Sequence, residues 1–480
     1  MPGPAERRYV LCDGYGTAPS ASLGPWGYVR TFAASLAAKD LLRVALFWDS
    51  PGNWTAALPS REDRPQPFAA RMRNMSLYDA ARISGLPPED FASEQWAPRL
   101  ARFAKCFGKA FLPRSTDAYC EVDRPGGRGL ESPSWPPARG EKPNGRLQFF
   151  DNGELRHNFV RCGIAGLPSE YAPERIAAAV HLRLFSGPSV DLRFELCRVH
   201  RERHPLSFCT LPLYGLHRLK AHIPGILDGW LAYHLGHVGF SHAEIYDVDG
   251  SYEVDLRSWV EAGYSIGYHG AWPAWLAPAL KRLSRHYVGC TESFAYAHCL
   301  TTHRALSRWV MILHGPDEYV RLATSRGQPA PHALEKVVEH LSSTVDFKAS
   351  ALIVRSWPFG RGGVPPGEQA EAQRWGGGSV IAASRLRALH LDDSMHTPLL
   401  DPEHCTCAGP HSCTAEKGYY HGNSGEVGED ILVTHHYLEM LPWDTGRCGR
   451  LHNGRYPCTM LDSSLLWAAD LLRHEFPGST

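Results

Sequence analysis

The chain has 480 residues, with 50 Lys and Arg against 50 Asp and Glu, a formal net charge of zero. Hydrophobic residues make up 43% and charged residues 21%, which excludes a disordered chain, and the even charge excludes a generally basic nucleic-acid binder. No run of about 20 uncharged apolar residues is present, as a membrane-spanning helix would need. The best candidate, residues 32–48, is interrupted by Lys39, Asp40 and Arg43. The opening MPGPAERRYV has no apolar core, so no signal peptide is expected from it. Length implies two or three domains, and the expected division is 1–200, 201–445 and 446–480.

In chain order, residues 1–145 are rich in Pro, Gly, Arg and Trp with little sustained periodicity, and 124–146 read as a loop or linker. Strand-like runs at 147–150, 180–185 and 190–196 suggest a small β-rich module ending near Val199. From Pro205 the pattern changes. A buried strand is expected over 206–213, a helix over 220–238, a strand over 243–248 and a short helix over 255–262. The helix carries Ile223, Ile226, Leu227, Trp230, Leu231 and Leu235 at the spacing of one buried face. Further strands are expected at 264–268, 309–313 and 351–355, with helices at 291–308 and 331–341. This alternation predicts a mainly parallel α/β sheet flanked by helices, behind the β-rich module.

Ligands of open α/β sheets bind beyond the carboxyl ends of the strands. Tyr246, Asp247 and Asp249 follow the second strand of this series, and His314, Asp317 and Glu318 follow the fourth, so two acidic clusters are expected to face one crevice. No GxGxxG or GxxxxGK[ST] follows a strand, and GxSxG is absent. The 13 cysteines are odd in number, so at least one cannot pair within the chain. Early cysteines read as buried thiols, whereas Cys405, Cys407 and Cys413 lie in the hydrophilic stretch HCTCAGPHSC. Pairing there would imply an oxidising compartment, as would the sequons at Asn53 and Asn74. A zinc reading of His404, Cys405, Cys407, His411 and Cys413 meets no common ligand spacing.

Six short blocks occur in order: LSFCTLPLYG, GWLAYHLGHVGFSHAEIYD, WVMILHGPDEYV, SWPFGRGG, GGSVIAASRLRALHLDDSMH and THHYLEM. Through them, Pro205 to about Glu439 resembles glycosyltransferase family 92, galactosyltransferase-like enzymes on the GT-A fold, a Rossmann-like α/β architecture. The resemblance implies transfer of a hexose, galactose foremost, from a UDP-sugar donor to a hydroxyl of a glycan acceptor, with inversion. It implies Mn²⁺ or Mg²⁺ held by Asp317 and His436, and donor binding by Tyr214, Asp247, Asp317 and Glu318. His396 and Trp357 would lie on the acceptor side. An inverting transferase needs a carboxylate base. Asp392 and Asp393 are preferred over Glu429 and Asp430, because they precede His396 in an expected acceptor-side loop. The tryptophans Trp272 and Trp275 suit either sugar stacking or a core. Relatives of this type work in the Golgi lumen behind a membrane anchor, which this sequence does not display. One position departs from the pattern: Gly315 stands where the family has the first aspartate of Asp-x-Asp, with His314 before it and Pro316 after. That departure leaves open a catalytically inactive, carbohydrate-binding relative.

Overall fold

Residues Phe32–Leu36 and Leu42–Leu46 are buried on both faces and pair as the two strands of an antiparallel hairpin. In the computed structural model, this hairpin belongs to a sheet of nine strands. They are β1 (Tyr9–Leu11), β2 (Ser20–Ser22), β3 (Tyr28–Ala37), β4 (Leu41–Asp49), β5 (Asp117–Val122), β6 (Gly145–Asp151), β7 (Arg156–Gly163), β8 (Arg175–Arg183) and β9 (Ser189–Arg198). The structure describes residues 7–12, 20–22, 28–37, 41–49, 117–123, 145–151, 156–164, 167–168, 171–183, 189–270, 289–322, 330, 333–344, 350–360, 380–383, 386–388, 392–409, 412–415, 427–438, 458–462, 464–465 and 467–468. Of the expected linker 124–146, residues 124–144 lie outside these residues, as do both sequons and the pair Trp272 and Trp275, whereas Gly145 and Arg146 open β6 instead of a loop.

Every pairing in the first sheet is antiparallel, in the order β1-β9-β8-β5-β6-β7-β4-β3-β2. Because β1 pairs with both β9 and β3, the sheet curls into a nearly closed barrel around its own core. Disulfides Cys12–Cys197 and Cys120–Cys162 tie it, so these early cysteines are paired rather than free thiols. Strands β3, β4 and β5 occupy the region in which sequence periodicity showed no strand.

The remaining elements are β10 (His204–Thr210), α1 (Leu216–Lys220), α2 (Ile226–Leu231), β11 (His242–Tyr246), α3 (Glu253–Glu261), β12 (Ile266–His269), α4 (Gly289–Leu306), β13 (Ser307–Leu313), β14 (Glu318–Leu322), α5 (Ala333–Thr344), β15 (Ala351–Gly360), α6 (Val380–Ala383), β16 (Leu386–Ala388), β17 (Asp392–Leu400), β18 (Cys405–Gly409), β19 (Ser412–Ala415), β20 (Leu432–Tyr437) and β21 (Cys458–Leu461). The chain divides into two compact units, residues 1–203 with 272–306, and 204–271 with 307–480. Of the segment 446–480, set apart in sequence as a tail, β21 pairs with β16, and Leu465 and Ala468 enter the second unit's core. The second unit's main sheet runs β12-β11-β10-β13-β17-β15-β16-β21, with β20 joining β15 and β14 joining β20.

The expected mainly parallel, GT-A-like sheet is corrected by this architecture. Among the described residues strand outweighs helix, 50% against 25%, so they are mostly β, with one barrel-like antiparallel sheet and one curled mixed sheet. Parallel pairing in the main path is confined to β12-β11-β10-β13. Beyond β13, the pairings with β17, β16 and β21 and between β14 and β20 are antiparallel. Helix–strand alternation was read from the parallel stretch and extended to strands whose connections reverse direction. The helix expected over 220–238 is also divided. Pro224 and Gly225 separate α1 from α2, and the chain then continues as a π-helical segment Ala232–Val238, ending at Gly239 with φ 92°. Among the described residues no helix is long and apolar enough to cross a membrane.

Candidate functional site

The site grows from the link between β13 and β14. β13 is buried from Val310 to Leu313 and delivers His314 just beyond its end, and the chain reverses through Gly315 and Pro316 so that the Glu318 N–H donates to Gly315 O at 3.0 Å. A Cβ on Gly315 would come within 3.0 Å of Leu213 Cδ2 and 3.3 Å of Asp317 Oδ1. The turn therefore lies close on Leu213, and an aspartate at Gly315 would have to push that leucine away. β14 then runs antiparallel to β20 with Glu318 opposite His436, while the Tyr437 N–H donates to Asp317 O at 2.7 Å.

This register brings two imidazoles and two carboxylates together. His436 Nε2 donates to Asp317 Oδ2 at 3.2 Å, and His436 Nδ1 lies 3.9 Å from Glu318 Oε1. Glu318 is fully buried at 0% exposure. One of its oxygens accepts the His314 backbone N–H at 2.7 Å, and the other accepts Thr397 Oγ1 at 3.0 Å and sits 2.9 Å from His314 Nδ1. The His314 and His436 rings stack with centroids 5.1 Å apart. Buried carboxylates ordinarily resist ionisation. Burial pushes the Asp317 carboxyl up, but the hydrogen bond and charge of His436 outweigh it and hold Asp317 below its ordinary value. Burial likewise works against Glu318, yet His314 and His436, with the His314 backbone N–H, bring it down to about 2. Both carboxylates are therefore charged at neutral pH inside the protein.

A second layer of side chains locks β14. The Trp230 Nε1–H donates to Glu318 O at 2.8 Å, the Tyr233 hydroxyl to Val320 O at 2.7 Å, and the Val320 N–H to His234 Nε2 at 3.3 Å. These three residues come from α2 and the π-helical segment, and they bond strand groups that have no neighbouring strand on that side among the described residues. Burial lowers His234 to about 4 and so keeps it neutral, with Nδ1 donating to Trp230 O at 2.8 Å and Nε2 free to accept.

The other expected site residues are placed as follows. Asp247, 1% exposed, bridges in parallel to Leu213, and its carboxylate accepts the backbone N–H groups of Asp249, Gly250 and Tyr252 and the Tyr268 hydroxyl. It shapes its own loop, and burial raises its pKa. Tyr214 follows Leu213 and is 47% exposed, next to Gly215, whose φ of 66° only glycine adopts easily. The buried Tyr252 hydroxyl lies in the field of both acidic groups. Its pKa is driven well above the ordinary tyrosine value by burial and by the charges of Asp247 and Asp317.

Farther along, His396 pairs with Arg355 in the β15–β17 ladder, and Trp357 lies in register with His435 under the Arg387 guanidinium, 3.8 Å from the ring centroid. The expected loop around Asp392 and Asp393 is instead the start of β17. Asp392 is in register with Ser356, so Asp393, Ser394 and Met395 form a bulge before His396. The side chains of Asp392 and Asp393 lie outside the described residues. Glu429 and Asp430 are exposed in the turn before β20. His435, next to His436 on β20, stacks on Phe359 at 4.5 Å, and burial lowers it to about 3. Cys405 and Cys413 are joined in the β18–β19 hairpin and His404 contacts Asp401 at 2.6 Å, so this cluster offers no pair of thiolates to zinc.

Sequence reasoning pointed at Asp317, Glu318 and His436 but missed Thr397 and the supporting trio Trp230, Tyr233 and His234. Neither the β17–β14 approach nor the unpaired edge of β14 has a local sequence signal. No model of a known protein family matches the chain, and no curated protein matches it.

Proposed function

We propose that this protein is a metal-dependent glycosyltransferase that moves a hexose, galactose foremost, from a UDP-sugar to a hydroxyl of a glycan, as its resemblance to glycosyltransferase family 92 implies. The observation that carries the proposal is the convergence of His314, Asp317, Glu318 and His436. Ligand atoms of His314, Glu318 and His436 lie within 4.8 Å of one another, and Asp317 joins through His436. The donor set fits a divalent ion that accepts both nitrogen and oxygen, so it favours Mn²⁺ over Mg²⁺. A further mark of fit is His436 Nδ1, which is buried without a hydrogen-bond partner. Asp317 and His436 would hold the ion, with His314 in place of the carboxylate that Gly315 lacks and Glu318 supporting both rings. When bound, such an ion stabilises the negative charge that builds on a departing diphosphate.

The chain's own groups would do the remaining work. Asp247 holds the loop next to the exposed Tyr214, which would meet the donor's uridine. On the acceptor side, β17 passes the site at Thr397, and its bulge re-aims the backbone at Asp392 and Asp393, candidates for the base that takes the acceptor's proton. His396 and Trp357 stand on the neighbouring β17 and β15. A secretory-lumen location is part of the same proposal and is supported by the disulfides Cys12–Cys197, Cys120–Cys162 and Cys405–Cys413.

The test is release of UDP from UDP-galactose with Mn²⁺ and a galactan or N-glycan acceptor, with thermal stabilisation measured in parallel. Turnover that falls at least a hundredfold in Asp317→Ala supports the reading. No turnover together with no stabilisation by any UDP-sugar and metal overturns it. Gly315 favours one other reading, a carbohydrate-binding protein without catalysis. Glycan binding that survives Asp317→Ala unchanged, with no UDP released, would establish that reading instead.

A further inference from the structure

A line of three buried hydroxyls leads away from the Glu318 carboxylate across three strands. Ser356 on β15, Thr397 on β17 and Thr434 on β20 are each 1% exposed or less. Thr434 stands two residues before His436 and so shares its face of β20, and it is in register with Ser356 in the parallel β15–β20 ladder. Thr397 Oγ1 donates to Glu318 Oε1 at 3.0 Å and lies 3.4 Å from Thr434 Oγ1. Thr434 Oγ1 in turn lies 2.5 Å from Ser356 Oγ and 3.4 Å from Arg355 O.

Charge fixes the direction of the first links. An ionised carboxylate only accepts, so the single Thr397 proton goes to Glu318, and towards Thr434 the Thr397 oxygen acts as acceptor. Hydroxyls on interior strands are costly unless they are paired. Valine has nearly the shape of threonine and suits a strand equally well, so packing alone gives no reason for hydroxyls at 397 and 434. Their use is visible where the line ends. Glu318 Oε1 lies 2.9 Å from His314 Nδ1 and 3.9 Å from His436 Nδ1, while the other carboxylate oxygen is held by the His314 backbone N–H at 2.7 Å. Thr397 therefore fixes the oxygen that faces both imidazoles. Without that bond, Oε1 would satisfy itself on the rings and withdraw their nitrogens from an ion.

We propose that Ser356, Thr434 and Thr397 are positioning residues, a hydroxyl line that holds Glu318 Oε1 between His314 and His436 and so keeps both rings available to a divalent ion. The inference rests on the metal-dependent reading above and gives the buried strands β15, β17 and β20 a part in it. Hydrogen bonds to the groups around a metal set ligand orientation and affinity.

The test is Mn²⁺ binding by the full chain, read from the loss of the electron paramagnetic resonance signal of free Mn²⁺, with a urea midpoint for each variant. Thr397→Val is expected to weaken Mn²⁺ at least about tenfold and Thr434→Val at least about threefold, whereas Thr397→Ser and Thr434→Ser bind within about twofold of wild type. Ser207→Ala is the control. It breaks another buried hydroxyl pair of the same unit, Ser207 Oγ to Ser307 Oγ at 2.7 Å, and should lower the urea midpoint while leaving Mn²⁺ binding unchanged. Should Thr397→Val not fold by circular dichroism, Thr434→Val and its serine counterpart decide the matter. The proposal is overturned if the serine variants are as weak as the valine ones, or if Ser207→Ala is as weak. Valine variants that bind Mn²⁺ as wild type does remove this inference alone. A wild-type chain that binds no Mn²⁺ overturns the metal-dependent reading together with it.

Discussion

The antiparallel sheet of the first unit and the mixed sheet of the second both place histidines against carboxylates, but in opposite dielectric settings. On the first, His181 Nδ1 meets Asp191 at 2.6 Å and its Nε2 lies 3.6 Å from Glu121, with the two carboxylates 30% and 25% exposed. The His181 ring is itself buried, but water reaches and screens both of its carboxylates, on a sheet whose core is rich in Val, Ala and Leu. On the second, Glu318 has no exposure, and His314, Thr397 and a backbone N–H must replace the water it has lost. The contrast teaches that identity of the pair says little, and that burial with complete compensation marks the place where charge is kept for chemistry.

The contrast is broken most severely by removing a buried partner. Glu318→Ala leaves two histidines and Asp317 around an unfilled site and is expected to cost about 3–5 kcal/mol, measured as a lower urea midpoint of the second unit. Acid is the next lever. Glu318 is held at about 2, below the ordinary value near 4.3 of an unfolded glutamate, so the unfolded chain binds more protons as pH falls. Its contribution is complete above about pH 5 and disappears as pH falls towards about 2. The depressed His234 and His435 act in the same direction, because the unfolded chain protonates them near 6.5 while the folded protein holds them neutral to about 4 and about 3. Hydrogen exchange across pH 7 to 3 should therefore show β14 and β20 losing protection before β8 and β9. The smallest effect is expected at the exposed Arg175–Glu195 pair, 3.0 Å long: Arg175→Ala should change stability by less than about 1 kcal/mol in the same urea titration.

Legibility in the sequence followed the range of the interaction. Asp317 and Glu318 were legible as charged residues next to a buried strand end, a local signal, whereas His436, inside a strand-like run, was singled out only by the family resemblance. Trp230 was read as a core residue on one apolar face, and it is buried. That its indole N–H would hold the Glu318 carbonyl depended on where β14 lies, 88 residues further on. Asp247 ends a strand, and the family resemblance gave it a donor contact. The four hydrogen bonds its carboxylate accepts had no local signal, because the partners at Tyr252 and Tyr268 become neighbours only on folding.

By itself, the sequence determined which segments could be buried and which ionisable groups they would carry. Composition excluded a disordered chain and a generally basic nucleic-acid binder, and the strand periods of β8 to β11 were legible in the apolar pattern. Only the tertiary structure decided strand direction and register. A period-two pattern is identical for parallel and antiparallel neighbours, which is why the expected parallel α/β sheet gave way to a mostly β molecule. The same register put Glu318 opposite His436, and thereby set the charge state of the candidate site.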